Sequence, residues 1–285
     1  MMEYPKASIA EYGFKEYRFF KMVFKYFNKI VVALIIIMMY LSIFVIAIQS
    51  FNSSTDIAVF SSFTLKWYGS IFKHRMLTNA IKNTFLVSLI ATIVSTVLGT
   101  LVTIGINALP FKRRQKILLL NNIPILNADI VTGISLMLVF SLFINIFPYI
   151  FGLTTLILAH VFFTIPYVIL SILPKLKEID PNLMDAALDL GIKPYKALVK
   201  VIVPSIKAGI FAGMLLAFTM SIDDFVVSYY TTGNGFDNLS IWIYSSIGRK
   251  SLTPSVYAFS TLLTTFTMLI LVGINLKQSK DVKKK

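Results

Sequence analysis

Residues 30 to 48 are nineteen in a row without a charged side chain. A helix of that length spans about 28 Å, enough to cross a hydrocarbon core of about 30 Å. The run is longer than a usual signal-peptide core, and no small-residue cleavage site stands out after it, so it is expected to be retained. Five more apolar stretches follow, at 85–109, 123–147, 153–173, 208–228 and 256–276. The pattern predicts an all-α, polytopic integral membrane protein with six transmembrane helices. The composition agrees, with 56% hydrophobic residues, 14% charged residues and a mean hydropathy of +0.78, well above the apolar share of a soluble domain.

A formal net charge of +14 would suit a partner such as nucleic acid, so the location of that charge decides its meaning. Twenty-one of the 27 Lys and Arg fall in 1–29, 110–122, 174–207 and 277–285, and the alternate segments hold the other six. Lys and Arg concentrate on the cytoplasmic side of membrane proteins. Both termini and the 174–207 loop are therefore expected in the cytoplasm, and nucleic-acid binding is excluded as the cause. The chain divides into a basic N-terminal segment (1–29), a spanning region (30–276) and a basic tail (277–285). Residues 1–29 interleave Lys6, Lys15, Arg18, Lys21, Lys25 and Lys29 with aromatic rings. Two readings are open for it: an amphipathic helix lying on the anionic leaflet, or a flexible positive flank that orients the first span.

The 174–207 loop is the longest charged interval between apolar runs, and it reads as helix, turn, helix. Good helix formers run from Leu183 to Leu190, Gly191 falls where a left-handed C-cap belongs, and Pro194 can open a second helix ending near Pro204. Asp185-Ala186-Ala187 is followed after three residues by Gly191, and after nine more by Val201-x-Val203-Pro204. This order resembles the EAA loop of permease subunits of ABC importers, with Asp in place of Glu and Val in place of Ile and Leu. The resemblance implies the type I importer permease fold, with Asp185, Ala186, Ala187, Gly191 and Pro204 in a coupling helix seated on a separate ATPase. It also implies a second homologous permease, two copies of the cytoplasmic ATPase, an extracytoplasmic binding protein and a place in a bacterial cell membrane.

Three acids lie inside predicted spans, and each costs about 2.5 to 3.5 kcal/mol at a helix centre on insertion scales. They are Asp129, near Pro124, Asn127 and Gly133, and the pair Asp223-Asp224. On a regular helix Asp223 shares a face with Thr219 and Tyr230, while Asp224 lies about 100° round with Ser221, Ser228 and Thr231. Both acids could face one route only if the helix were broken there. At least one of the pair is expected to line a water-filled cation path while the other holds the helix by hydrogen bonds; the alternative is that these acids cap half-helices or pair with a neighbouring subunit. The stretch 216–233, LAFTMSIDDFVVSYYTTG, resembles spermidine/putrescine permeases in its Ser-x-Asp-Asp and Thr-Gly, and Asp129-Ile-Val-Thr-Gly-Ile-Ser is similar to another stretch of that family. The resemblance implies a polyamine substrate, whose ammonium groups would need carboxylates and aromatic faces. Asp129, Asp223, Asp224, Tyr229 and Tyr230 are the expected contacts.

His160 is expected to be a neutral packing residue with one hydrogen bond. Two separated histidines and no cysteine make a metal site improbable. No Gly-Lys dipeptide occurs, so no phosphate-binding loop is present. ATP and Mg are accordingly expected on the partner ATPase, with no catalytic residue or cofactor on this chain. Another ABC importer substrate, an ATP-independent transporter or channel, and a membrane enzyme are the competing classes. The channel leaves the coupling-loop spacing unexplained, and no nucleophile supports the enzyme.

Overall fold

The computed structural model describes residues 14–282 apart from 57–58, 72, 74, 148–149, 181, 234 and 248–253. In chain order the helices are α1 (Phe14–Ser50), α2 (Lys66–Ile71), α3 (Arg75–Asn107), α4 (Phe111–Leu126), α5 (Asp129–Ser141) and α6 (Leu153–Lys177). Then come α7 (Leu183–Asp189), α8 (Pro194–Ser205), α9 (Lys207–Asp223), α10 (Val226–Thr231), α11 (Leu239–Ile247) and α12 (Pro254–Val282). Among the described residues there is no strand, only an isolated bridge between Asn52 and Phe63.

Two compact units form. One joins residues 1–72 with 251–285, and in it α12 packs along α1 and against α2. The basic stretch from Phe14 to Lys29 is neither a separate surface helix nor a coil, because it continues without a break into the first span as a helix of 37 residues. Residues 1–13 of that stretch lie outside the described residues. Asn52, fully buried, organises the turn after α1. Its Nδ2 donates to Gln49 Oε1 and to the Val59 carbonyl, both at 2.9 Å, and its Oδ1 accepts from the Ser54 and Ser61 amides. Trp67 Nε1 donates to the Asn52 carbonyl at 2.6 Å.

The second unit, residues 73–250, is built on the mutual packing of α3, α6 and α9. Small residues on one face of α3, among them Ala91, Ser95, Gly99 and Thr103, are buried against these neighbours, which lets helices approach closely without bulky side chains. The hydroxyls of Ser95 and Thr103 donate to carbonyls one turn back, at 2.6 Å each, so their burial leaves no polar atom unmatched. At one end of the bundle Val168, Ile172 and Leu176 of α6 cluster with Ile202, Ile206 and Ala217, and Met184 and Leu198 pack against them. This cluster fastens the 174–207 loop to the spanning helices.

The spans differ from the expected ones in two places. The third is not one helix over 123–147: Lys112, Arg113, Arg114 and Lys116 belong to α4, which meets α5 at a bend of 104°. Asn127 and Ala128, both extended, make the corner. The fifth stops at Asp223. Among the described residues three helices are long and apolar enough to cross a membrane alone, or up to five if α4 with α5 and α8 with α9 each count as one span.

Candidate functional site

The coupling loop takes the form its residues dictate. Gly191 has φ +75°, a left-handed conformation open to glycine and costly for residues with a Cβ. The Gly191 amide donates to the Leu188 carbonyl at 2.9 Å and the Ile192 amide to the Ala187 carbonyl at 3.1 Å. That pair of bonds is a complete Schellman closure of α7. Pro194 then opens α8 at its first turn, where no N–H is needed. Just before Pro204 the helix widens into a π turn over Leu198–Ile202, with the Val203 amide reaching the Leu198 carbonyl. Proline supplies no N–H for the Lys200 carbonyl and crowds it, which accounts for the widening.

Of the expected coupling residues, Ala187 is buried, while Asp185, Ala186, Gly191 and Pro204 are exposed. The loop also exposes Leu183, Leu188, Leu190, Tyr195 and Val199, with Leu190 81% exposed. One side of the loop is thus fixed in the bundle core, and the other presents apolar side chains outward.

The second site is the break after α9. Asp223 ends α9, and Asp224 is extended (φ −68°, ψ 129°) before α10 begins. The two acids part company there. Asp223 is exposed, whereas the Asp224 side chain is 9% exposed and caps the next helix. Its Oδ2 accepts from the Ser228 amide at 2.7 Å and its Oδ1 from the Val227 amide at 3.3 Å. Carboxylates at helix N-termini stabilise unpaired amides in this way. Asp223 stands at the opposite kind of terminus, the carbonyl end of a 17-residue helix, where the helix dipole favours a positive charge.

His160 bridges the break. It is 1% exposed, its Nδ1 lies 2.6 Å from Ser221 Oγ on α9, and its Nε2 lies 2.9 Å from Ser228 Oγ on α10. Nε2 is also 3.6 Å from Asp224 Oδ2. The expectation of one hydrogen bond is therefore corrected to two, one to each side of the break. A neutral imidazole donates from one nitrogen and accepts at the other, and each serine hydroxyl can complement either. The signal was present in sequence: Ser221, Asp224 and Ser228 form a polar stripe in an apolar span, and α6 carries one histidine.

Asp129 opens α5 and is exposed. Gly133, one turn on and on the same face, has no side chain, and α10 fills the space. A Cβ there would lie 3.1 Å from the Tyr230 ring, 3.3 Å from the Val226 carbonyl oxygen and 3.3 Å from the Val227 Cα. The packing of α10 on α5 thus brings two helix breaks together, each marked by acids. Tyr230 is half-buried in that contact, and Tyr229 is 47% exposed. Asp129 and Asp223 are both exposed, one at the start of α5 and the other at the end of α9. Among the described residues no group of three or more His, Cys, Asp or Glu is placed to hold a metal ion.

The chain is 30% identical over 228 residues to the putrescine transport system permease protein PotI of Escherichia coli K12, covering 79% of this chain and 81% of that one. It is 28% identical over 239 residues to the spermidine/putrescine transport system permease protein PotC of the same organism, covering 84% and 88%. Its fold matches a chain of a bacterial ABC transporter involved in the import of the acidic polysaccharide alginate, with TM-score 0.65, 15% identity and coverage of 93% and 98%. The model of the family described as binding-protein-dependent transport system inner membrane component matches residues 116–278. Its relatives are permease subunits that do not themselves catalyse a reaction, and the chain belongs to this family, as the membrane permease of an ABC importer that works with an ATPase and a binding protein.

Proposed function

We propose that this permease carries polyamines, spermidine or putrescine, into the cytoplasm. The observation that carries this reading is the meeting of two helix breaks in an apolar bundle, with Asp129 and Asp223 exposed beside them and Tyr229 and Tyr230 adjacent. Intramembrane carboxylates are costly unless they serve a route or a ligand, and a di- or triammonium substrate compensates them. The names of the relatives PotI and PotC point to the same substrates. An acidic solute, like that of the alginate importer that shares the fold, would be repelled by these groups.

In the assembled transporter, this chain pairs with a second homologous permease above two ATPase copies that bind ATP and Mg, and a binding protein delivers substrate from outside. With α12 as a sixth span, both termini and the coupling loop lie in the cytoplasm, the side on which Lys and Arg concentrate. Closure of the ATPases pushes on the α7–α8 loop at Asp185, Ala186, Ala187 and Gly191. The apolar cluster around Ile172, Ile202 and Ile206 passes that displacement to α6 and α9, so that the route opens alternately to either side.

The test is uptake of radiolabelled spermidine and putrescine by cells lacking this chain and their other polyamine importers, before and after the chain is restored. Loss and rescue of polyamine uptake is expected, with no competition from amino acids or sugars. Unchanged polyamine uptake in the deleted cells would move the substrate to another small solute.

A further inference from the structure

Beyond the carboxylates, the break carries an aromatic cluster. Phe225 and Tyr244 have ring centroids 4.9 Å apart, Phe225 and Tyr229 5.6 Å, and Tyr229 and Tyr244 5.7 Å. Three rings in mutual contact form a packed unit, yet Tyr229 is 47% and Tyr244 54% exposed. Their planes meet at 41°, 42° and 74° rather than stacking, so π faces are left over. Tyr230 stands edge-on to Tyr229, at 5.5 Å and 87°, and its own ring is packed at Gly133 of α5, which steadies the cluster.

The position is as telling as the geometry. Phe225 directly follows the capping Asp224 and lies two residues from exposed Asp223. The rings therefore begin where the carbonyl end of α9 and a free carboxylate already favour positive charge. Tyr244 reaches the cluster from α11, so the unit spans two helices and is not a local pair on one. We propose that Phe225, Tyr229 and Tyr244 form an ammonium-binding subsite, which receives one charged end of a polyamine while the Asp223 carboxylate receives another. This rests on the polyamine reading above. An ammonium over ring faces is held by the ring quadrupole, and removing water from the site strengthens the hold to roughly ten- to thirtyfold in affinity. The two elements divide the work: a carboxylate rewards charge and hydrogen bonds, while ring faces also reward the methylene groups between the amines.

Kinetics of spermidine uptake test this, in cells that carry the complete transporter and no other polyamine importer. The variants are Tyr229→Phe, Tyr229→Leu, Tyr244→Phe, Tyr244→Leu and Tyr244→Trp, with membrane levels matched by immunoblot. The Leu variants are expected to raise KM about five- to thirtyfold. The Phe variants keep KM within about twofold, because the ring face survives without its hydroxyl, and Tyr244→Trp holds or lowers KM because indole is the strongest cation–π partner. Should the Leu variants fail to reach the membrane, the Phe and Trp variants still decide: a KM raised in either as far as fivefold overturns the subsite. Wild-type KM in properly inserted Leu variants overturns it too, leaves the polyamine reading intact and marks the rings as an interfacial belt. A wild-type transporter that takes up no polyamine overturns both.

Discussion

The α7–α8 turn and the α9–α10 break are both interruptions of helix in one bundle, and they are held in opposite ways. At Gly191 every device is local: a positive φ, two amide bonds within five residues, and a proline three residues on. At Asp224 the backbone is ordinary extended chain, and the break is secured from sixty residues away by His160, with Ser221 on one side and Ser228 on the other. The turn is closed by hydrogen bonds between neighbours in sequence. The break is a tertiary structure in miniature, and it falls between two adjacent acids, one exposed and one capping the next helix.

If that contrast is right, the largest effect comes from the remote partner. His160→Leu leaves the buried hydroxyls of Ser221 and Ser228 without their bridge, a loss of about 2 to 4 kcal/mol. The detergent-solubilised complex should unfold at a lower temperature, and uptake should fall more than tenfold. Unchanged stability would mean that the break holds itself. Gly191→Val comes next. A β-branched residue at φ +75° costs at least about 1 to 2 kcal/mol, concentrated in the loop that meets the ATPase. ATP hydrolysis should continue while uptake falls, and wild-type coupled uptake would count against the loop as a lever.

Smaller effects separate the two acids. Asp224→Asn keeps one acceptor oxygen for the cap but gives up the other, at a cost of about 1 kcal/mol, visible as a modest drop in unfolding temperature. Asp223→Asn touches no side-chain hydrogen bond among the described residues, so stability should stay within about 0.5 kcal/mol of wild type. Its effect belongs to uptake, as a raised KM for polyamine. Equal and negligible losses in uptake from both Asn variants would end the cation-path reading.

Much of the molecule was legible in the chain. Apolar runs, the spacing around Gly191 and the proline positions act through neighbours a few residues away, and the C-cap and second helix appear where those residues place them. The third span was legible only in part: Pro124, Asn127, Asp129 and Gly133 mark an irregular start, but that Asn127 and Ala128 are extended and turn the chain through 104° is decided by packing. His160 was legible only in part: Ser221, Asp224 and Ser228 form a polar stripe that could partner it, but which of them it meets is decided only when helices α6, α9 and α10 are brought together.

Sequence alone determined that the chain is a helical membrane protein with a Gly191 turn in its longest charged loop, because insertion energy and backbone propensity are sums over neighbouring residues. Only the tertiary structure decided which of two adjacent acids is free. Helix periodicity separates Asp223 from Asp224 by about 100°, but a break at that point discards periodicity. What assigns Asp224 to a helix cap and leaves Asp223 exposed is the placement of α10 against α5 and α6, through Gly133 and His160.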